Sequence, residues 1–233
     1  MSSPALNDMS AFSLRLRGFL HGLFVPVLMG AILFLSAGTV AWPAAWMILV
    51  VVFLAFTVAM LAISPGLIME RTQKQAGAKE YDRKLVRVMN FTGLLLLLVA
   101  GLDFRFGWTG QIAFPVQAAA FVLFLFGNCI FTWAIISNRF FSLIVRIQDE
   151  KGHHPVTSGP YRYVRHPGYL GLLLTFLTQP VILGSLWALI PAIIASGLLV
   201  KRTELEDGTL ELELEGYEDY THRVRYRLVP GIW

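Results

Sequence analysis

The sequence is poor in charge and nearly without cysteine. Asp, Glu, Lys and Arg make up 15% of its 233 residues, against about a quarter in soluble proteins. The single cysteine, Cys129, lies inside an apolar run, which excludes internal disulfides and cysteine-based zinc sites. Charge is also missing in blocks. None occurs from Gly18 to Met69 (52 residues), Val88 to Leu102 (15), Phe106 to Asn138 (33) or His166 to Val200 (35), together 135 residues. A domain of this size cannot hide so much apolar surface from water. A soluble fold is excluded, and the chain reads as a polytopic membrane protein. The polar stretch Met1–Leu14 lacks a small-residue cleavage site after an apolar core, so no removable signal peptide is expected. The net charge of +4 fits cytoplasmic loops of a membrane protein rather than a nucleic-acid partner. No protein partner is expected either.

The runs divide into spans by length. A 52-residue helix would be about 78 Å long, against a hydrocarbon core of about 30 Å, so the first run folds back on itself. Gly38 and Pro43 flank Trp42 and mark the turn at Thr39–Ala44. Spans are expected near Phe19–Ala41, Ala44–Ser64 (ended by Pro65-Gly66), Leu85–Leu102 and Ala113–Ser137. Arg87 must snorkel from the first turn of the third. In the 35-residue run, Pro180 and Gly184 separate two arms, near Gly168–Leu183 and Leu186–Val200. Each rises only about 24 Å, which makes a short hairpin that barely crosses the bilayer.

The fold class expected is therefore all-α: a polytopic integral membrane protein with four spans plus a short helical hairpin, five to six membrane helices in all. Of 19 basic residues, 18 fall on one side of this topology and Arg105 alone on the other. The positive-inside rule makes the crowded side cytoplasmic, with both termini there. Two regions follow: an N-terminal transmembrane scaffold (1–137) and a cytoplasmic cofactor-binding and catalytic region (138–233) that includes the hairpin 168–200.

Candidate chemistry begins in Gln148–Gly171, QDEKGHHPVTSGPYRYVRHPGYLG. Gly159-Pro160 favours a turn. His166 precedes Pro167 and is biased toward extended backbone, while Pro167 suits the first turn of the hairpin helix. Arg165 and His166 thus stand at a helix N-terminus, which is receptive to an anionic group. Tyr161, Tyr163 and Tyr169 offer aromatic faces on which a cation can stack. Arg and Tyr at a membrane boundary serve equally well as interfacial anchors. His153-His154 lacks further ligands at convincing spacing, so no metal is expected. His21 and His222 read as packing or surface residues.

After the hairpin, Arg202 and Glu206 share a face if the last helix continues through Arg202–Leu210; a plain surface ion pair fits that spacing too. Glu211, Glu213, Glu215 and Glu218 are expected in solvent. Arg223, Arg225 and Arg227 alternate with Val224, Tyr226 and Leu228, which predicts an extended segment along the membrane surface that reaches anionic lipid headgroups.

The ordered set GPYRYVRHPGYLG, the pair Glu206-Asp207, GYEDY and RYRLVPGIW resembles the isoprenylcysteine carboxyl methyltransferase family over roughly Asn138–Trp233. It looks especially like bacterial membrane members, and more loosely like phospholipid N-methyltransferases. SPGLIMERTQ (Ser64–Gln73) and GLDFRFGW (Gly101–Trp108) also look like bacterial members. The resemblance implies an S-adenosylmethionine-dependent membrane enzyme, in a bacterial inner membrane, with a cofactor pocket open to the cytoplasm. A lipophilic or lipidated substrate would enter from the bilayer lipids. By the family's pattern the cofactor is held by Gln148, by His153, His154, Pro155 and Val156, by Tyr161, by His166, Pro167, Gly168 and Tyr169, and by Glu206. The family's substrate arginine matches Arg202, and Arg165 is a second catalytic candidate. Asp207 stands where a second Glu is more usual.

A matched arginine favours a carboxylate acceptor, because Arg orients carboxylates with a bidentate contact. An anionic nucleophile needs no general base, whereas an amine acceptor must lose a proton. Transfer to a phospholipid or other lipid amine is the alternative within the same chemistry. A nicotinamide-dependent membrane reductase of related architecture would need basic residues for a 2′-phosphate, and a non-catalytic scaffold would leave the pairing of His166–Tyr169 with Arg202 and Glu206 as coincidence.

Overall fold

The computed structural model describes residues 11–63, 67, 79–142 and 144–233. Most of Ser64–Gln73 and the basic residues Arg71 and Lys74 lie outside the described residues. Among the described residues there are seven α-helices: α1 (Ala11–Ala37), α2 (Pro43–Ala62), α3 (Glu80–Phe106), α4 (Phe114–Ser137), α5 (Pro167–Ile182), α6 (Leu189–Glu213) and α7 (Tyr217–Arg223). The fold is all-α. Four helices are long and apolar enough to cross a membrane, at Gly18–Ala37, Pro43–Ala62, Glu80–Phe106 and Phe114–Ser137. They leave large apolar side chains such as Leu35, Phe91, Phe114 and Val122 exposed, as a lipid-facing surface requires.

Six helices close into a ring. α1 packs on α2 and α3, α2 on α4, α4 on α5, α5 on α6, and α6 returns to α3. At one end, Leu33, Trp42, Ile48, Leu96, Phe124, Ile182 and Ala188 share a core. The opposite end carries the polar chemistry.

The turn after α1 forms at Gly38, whose φ of +73° is open to glycine and strained for other residues. α3 begins five residues before the expected Leu85. The added turn brings Tyr81 and Asp82 into the bundle. At its other end the buried Asp103 accepts hydrogen bonds from Thr109 N (2.8 Å) and Ser185 Oγ (2.5 Å), tying the hairpin tip to α3. Arg105 lies at that same end.

The hairpin departs from the expected pattern at both arms. Pro180 stands inside the last turn of α5 rather than at the break. The break falls at Leu183–Ala188, where Gly184 has φ +77°. α6 runs on past Val200 to Glu213 and spans 25 residues, about 37 Å. It therefore carries the chain from the apolar end well beyond the bundle's polar end. The last arm is a long helix, not a short one.

α4 and α5 cross without a gap. A Cβ on Gly171 would lie 2.5 Å from the Gly127 carbonyl oxygen and 2.8 Å from Phe131 N. Both obstacles are backbone, which cannot step aside. Gly171→Ala is expected to force the helices apart and to cost about 2–3 kcal/mol, read as a lowered thermal midpoint in detergent. An unchanged midpoint would show that the crossing is looser than described.

Candidate active site

A cleft at the polar end is lined by the 140–156 loop, the start of α5, the far part of α6, and α7. Its aromatic floor comes from Phe140, Phe141, Tyr161 and Tyr169, and its polar groups from Arg165, His166 and Glu206. Of the expected cofactor residues, His153, His154, Pro155, Val156, Tyr161, His166, Gly168, Tyr169 and Glu206 line this cleft, as does Arg165. Gln148, Pro167 and Arg202 do not. Gln148 is buried, donates to the Phe140 carbonyl (2.7 Å) and accepts from Lys151 Nζ (2.9 Å). It holds the loop in shape from behind.

His153 continues that support. Its Nδ1 accepts the Gln148 N–H (3.3 Å), and its ring lies 4.5 Å from the Phe140 ring. Burial and the neighbouring His154 push the His153 imidazole down to about 4, so at neutral pH it keeps the lone pair that this contact needs.

Two adjacent carboxylates on α6 organise everything else. Successive helical residues point about 100° apart, so Glu206 and Asp207 enter separate networks. Glu206 faces the cleft and accepts a short hydrogen bond from the Tyr169 hydroxyl. One turn earlier, the Arg202 guanidinium lies over the other part of that tyrosine, 5.2 Å from the ring centroid. Arg202 is paired with Asp82 of α3, with Nε 2.6 Å from Oδ1 and Nη2 3.2 Å from Oδ2. Tyr169 belongs to an apolar cluster with Met89, Leu199 and Leu228. It is thus a partition, with the polar cleft and Glu206 on one side and Arg202 beside apolar packing on the other.

Asp207 is fully buried. Its Oδ1 accepts from Arg165 Nε (2.8 Å), His166 Nε2 (2.9 Å) and Tyr217 Oη (2.8 Å). Its Oδ2 accepts from Arg165 Nη2 (2.6 Å) and Arg227 Nε (2.6 Å). Burial alone would raise this carboxyl, but the hydrogen bonds from His166 and Arg165 dominate and hold it well below the usual carboxylate range. The contact with His166 puts the ring proton on Nε2. Burial, with the carboxylate beside it, pushes the Tyr217 hydroxyl far up.

Arg165, expected as a catalytic candidate, is consumed by structure. Besides Asp207 it donates through Nη1 to the carbonyls of Val224 (3.0 Å) and Arg225 (2.9 Å). The backbone N–H groups of Arg165 and His166 donate to Tyr226 O and Arg227 O, both at 2.9 Å. This corrects the reading of the tail. Val224 is extended, but the chain bends at 227–229 instead of running on as a strand, and the segment straps the start of α5 with Val224 and Leu228 buried and Tyr226 exposed. Arg227 turns inward to Asp207, while Arg223 and Arg225 are exposed. Glu213 is exposed, as expected, and there pairs with Lys79 at 2.6 Å.

Sequence reasoning missed Asp82, Tyr217 and the hub role of Asp207. Only the Tyr217 of GYEDY carried a visible signal, as an aromatic next to a glycine that starts a short helix with φ +78°.

The family model for the isoprenylcysteine carboxyl methyltransferase (ICMT) family matches residues 119–212. Two rice proteins, from Oryza sativa subsp. indica and subsp. japonica, each bear the name "Probable protein-S-isoprenylcysteine O-methyltransferase" and are 30% identical over 112 residues. That stretch is 47% of this chain and 59% of each rice protein. The chain thus spans about three fifths of the length of the curated relatives it matches.

Proposed function

Residues 119–212 match the model of the isoprenylcysteine carboxyl methyltransferase family, and on that premise we propose that the chain belongs to that family and is an S-adenosylmethionine-dependent membrane methyltransferase. Its acceptor is a lipophilic carboxylate of the isoprenylcysteine kind. The observation that carries this reading is the partition at Tyr169. Glu206 and Arg202, four residues apart on α6, both meet that tyrosine, one from a polar cleft and one from an apolar flank.

The cleft fits the cofactor chemically. A carboxylate, several aromatic faces and a loop of His153–Val156 suit an ammonium, a ribose and an adenine. Glu206 would accept hydrogen bonds from the ammonium or ribose hydroxyls. Tyr161 and Tyr169 would pack on the adenine or beside the positive charge. The bound cofactor supplies an electrophilic methyl group on a cationic sulfur.

Arg202 would orient the acceptor carboxylate at the border of the cleft. Transfer to one of that acceptor's oxygens would give a neutral ester and leave a thioether, with the carbon–sulfur electron pair kept on sulfur, so no proton would have to move. The residues therefore need to position and to exclude water rather than act as a base. We assign Arg165 to clamping the strap, not to this chemistry.

The same reading orients the protein. Lys79 and the Arg202 end of α6 lie at one end of the bundle and Arg105 at the other, in keeping with 18 of 19 basic residues on a cytoplasmic face. Both termini and the cleft then face the cytoplasm, in a bacterial inner membrane.

Calorimetry on detergent-purified protein tests the cofactor. S-adenosylmethionine should bind, and Glu206→Ala should weaken it by 100-fold or more, since a carboxylate aimed at a cation is lost. No binding by the intact protein, or binding of a reduced nicotinamide instead, overturns the reading. Labelled methyl should reach N-acetyl-S-farnesylcysteine; label in phosphatidylethanolamine alone would move the acceptor to lipid amines.

A further inference from the structure

We infer that Asp82, on a helix outside the segment matched to the family, is a positioning residue that tempers the charge of Arg202. The inference rests on the function proposed above for Arg202. Asp82 is fully buried in the first turn of α3, 120 residues from its partner in sequence. Besides holding the guanidinium with both oxygens, its Oδ2 accepts the backbone N–H of Val145 at 2.9 Å. Val145 lines the cleft. One carboxylate thus joins three things: the arginine at the partition, the loop on the cleft side, and a transmembrane helix.

Neighbouring contacts keep it there. Tyr81 Oη meets Thr209 Oγ1 at 2.9 Å, Lys79 Nζ pairs with Glu213 at 2.6 Å, and Lys79 N donates to Val145 O at 3.4 Å. The first turn of α3 is therefore clipped along α6, and Asp82 has one position available. Its grip fixes the guanidinium plane over Tyr169.

The electrostatic consequence follows from the reaction. The acceptor oxygen is anionic at the start and loses that charge as the ester forms. A guanidinium with no counter-charge would bind the starting carboxylate more tightly than the charge-depleted transition state, which lowers turnover. Asp82 shares the arginine's charge, so the same group orients the acceptor without holding back its electrons. A structural clamp has no such effect on relative binding of the two states.

Asp82→Asn tests this. The amide oxygen can still accept from Arg202 Nε, but its NH2 group would face two donors, Arg202 Nη2 and Val145 N–H. With the charge gone, the Michaelis constant for N-acetyl-S-farnesylcysteine should fall about threefold or more while kcat falls at least tenfold. Binding of that acid without cofactor should tighten in parallel, and S-adenosylmethionine affinity should stay within about threefold. A fall in kcat with the Michaelis constant and acid affinity unchanged, or no change in either, overturns the inference. If Asp82→Asn does not fold, Asp82→Glu keeps the charge and displaces the guanidinium. It should then keep the wild-type Michaelis constant and lose at least fivefold in kcat, and an unaltered kcat overturns the inference. A wild-type protein that binds S-adenosylmethionine but methylates no acid would instead defeat the proposed acceptor and leave Asp82 as a clamp.

Discussion

On the proposed function, Arg202→Lys should lower methyl transfer by about 10²-fold and leave S-adenosylmethionine affinity within about threefold of the wild type. Lysine keeps a positive charge next to Asp82 but has no planar fork. The present contact uses Nε at 2.6 Å and Nη2 at 3.2 Å, and a single ammonium cannot reproduce both while also presenting a flat face to Tyr169. Acceptor orientation should be lost first. The cofactor side should not notice, because Arg202 is absent from the lining of the cleft. Lysine is a better test than alanine. Arg202→Ala strands Asp82, which is fully buried, and removing one partner of a buried pair costs about 3–5 kcal/mol. Initial rates with labelled donor, beside calorimetry on the same preparation, separate the two effects. Equal loss of binding and transfer would mean that Arg202 belongs to the cofactor side of the partition.

Asp207→Ala should strongly destabilise the polar end, by about 3–5 kcal/mol and on the order of 10 °C in thermal midpoint. It leaves Arg165, His166, Tyr217 and Arg227 facing one another without their shared acceptor. Arg165 and His166 are less than a tenth exposed, so water cannot replace the lost carboxylate. The strap would be released with it, since Arg165 also holds the Val224 and Arg225 carbonyls. The sign of the pH dependence follows from the depressed carboxyl. Its contribution is complete above about pH 4, its unfolded value, and is lost only as pH falls toward the lower folded value. Mild acid should therefore leave the hub intact. A thermal midpoint within 2 °C of the wild type, measured at neutral pH in detergent, would mean that the hub is not what secures the strap.

The spans were legible because lipid punishes charge over a whole 20-residue window, and absence of charge is easy to read. The four long helices begin and end within a few residues of the charge-free blocks except at α3 and α1, which start earlier on polar sequence. His166–Tyr169, Arg202 and Glu206 were legible from the ordered motif, and they do gather at one end. Asp82 was not legible. It sits among Glu80, Arg83 and Lys84 and looks like one more loop charge; only the pairing of α3 with α6 shows where it points. The tail's period of two predicted an extended segment on the membrane surface, but the chain bends at 227–229 and packs on the start of α5, which periodicity cannot foresee. Asp207 looked like a weaker copy of Glu206. The 100° between neighbouring helical positions gives the two acids different partners, and that angle has meaning only once both surroundings exist.

The pairing of Asp82 with Arg202 also sets a clock on biosynthesis. α3 enters the membrane while its acidic partner-in-waiting has nothing to meet, and 120 residues separate the two. At about 5–20 residues per second the ribosome needs some 6–24 s to deliver the arginine. The strap that seals Arg165 arrives later still. Throughout that interval the nascent chain is a set of inserted helices whose polar end still lacks Arg202 and the strap, so that end closes only after both segments have been made.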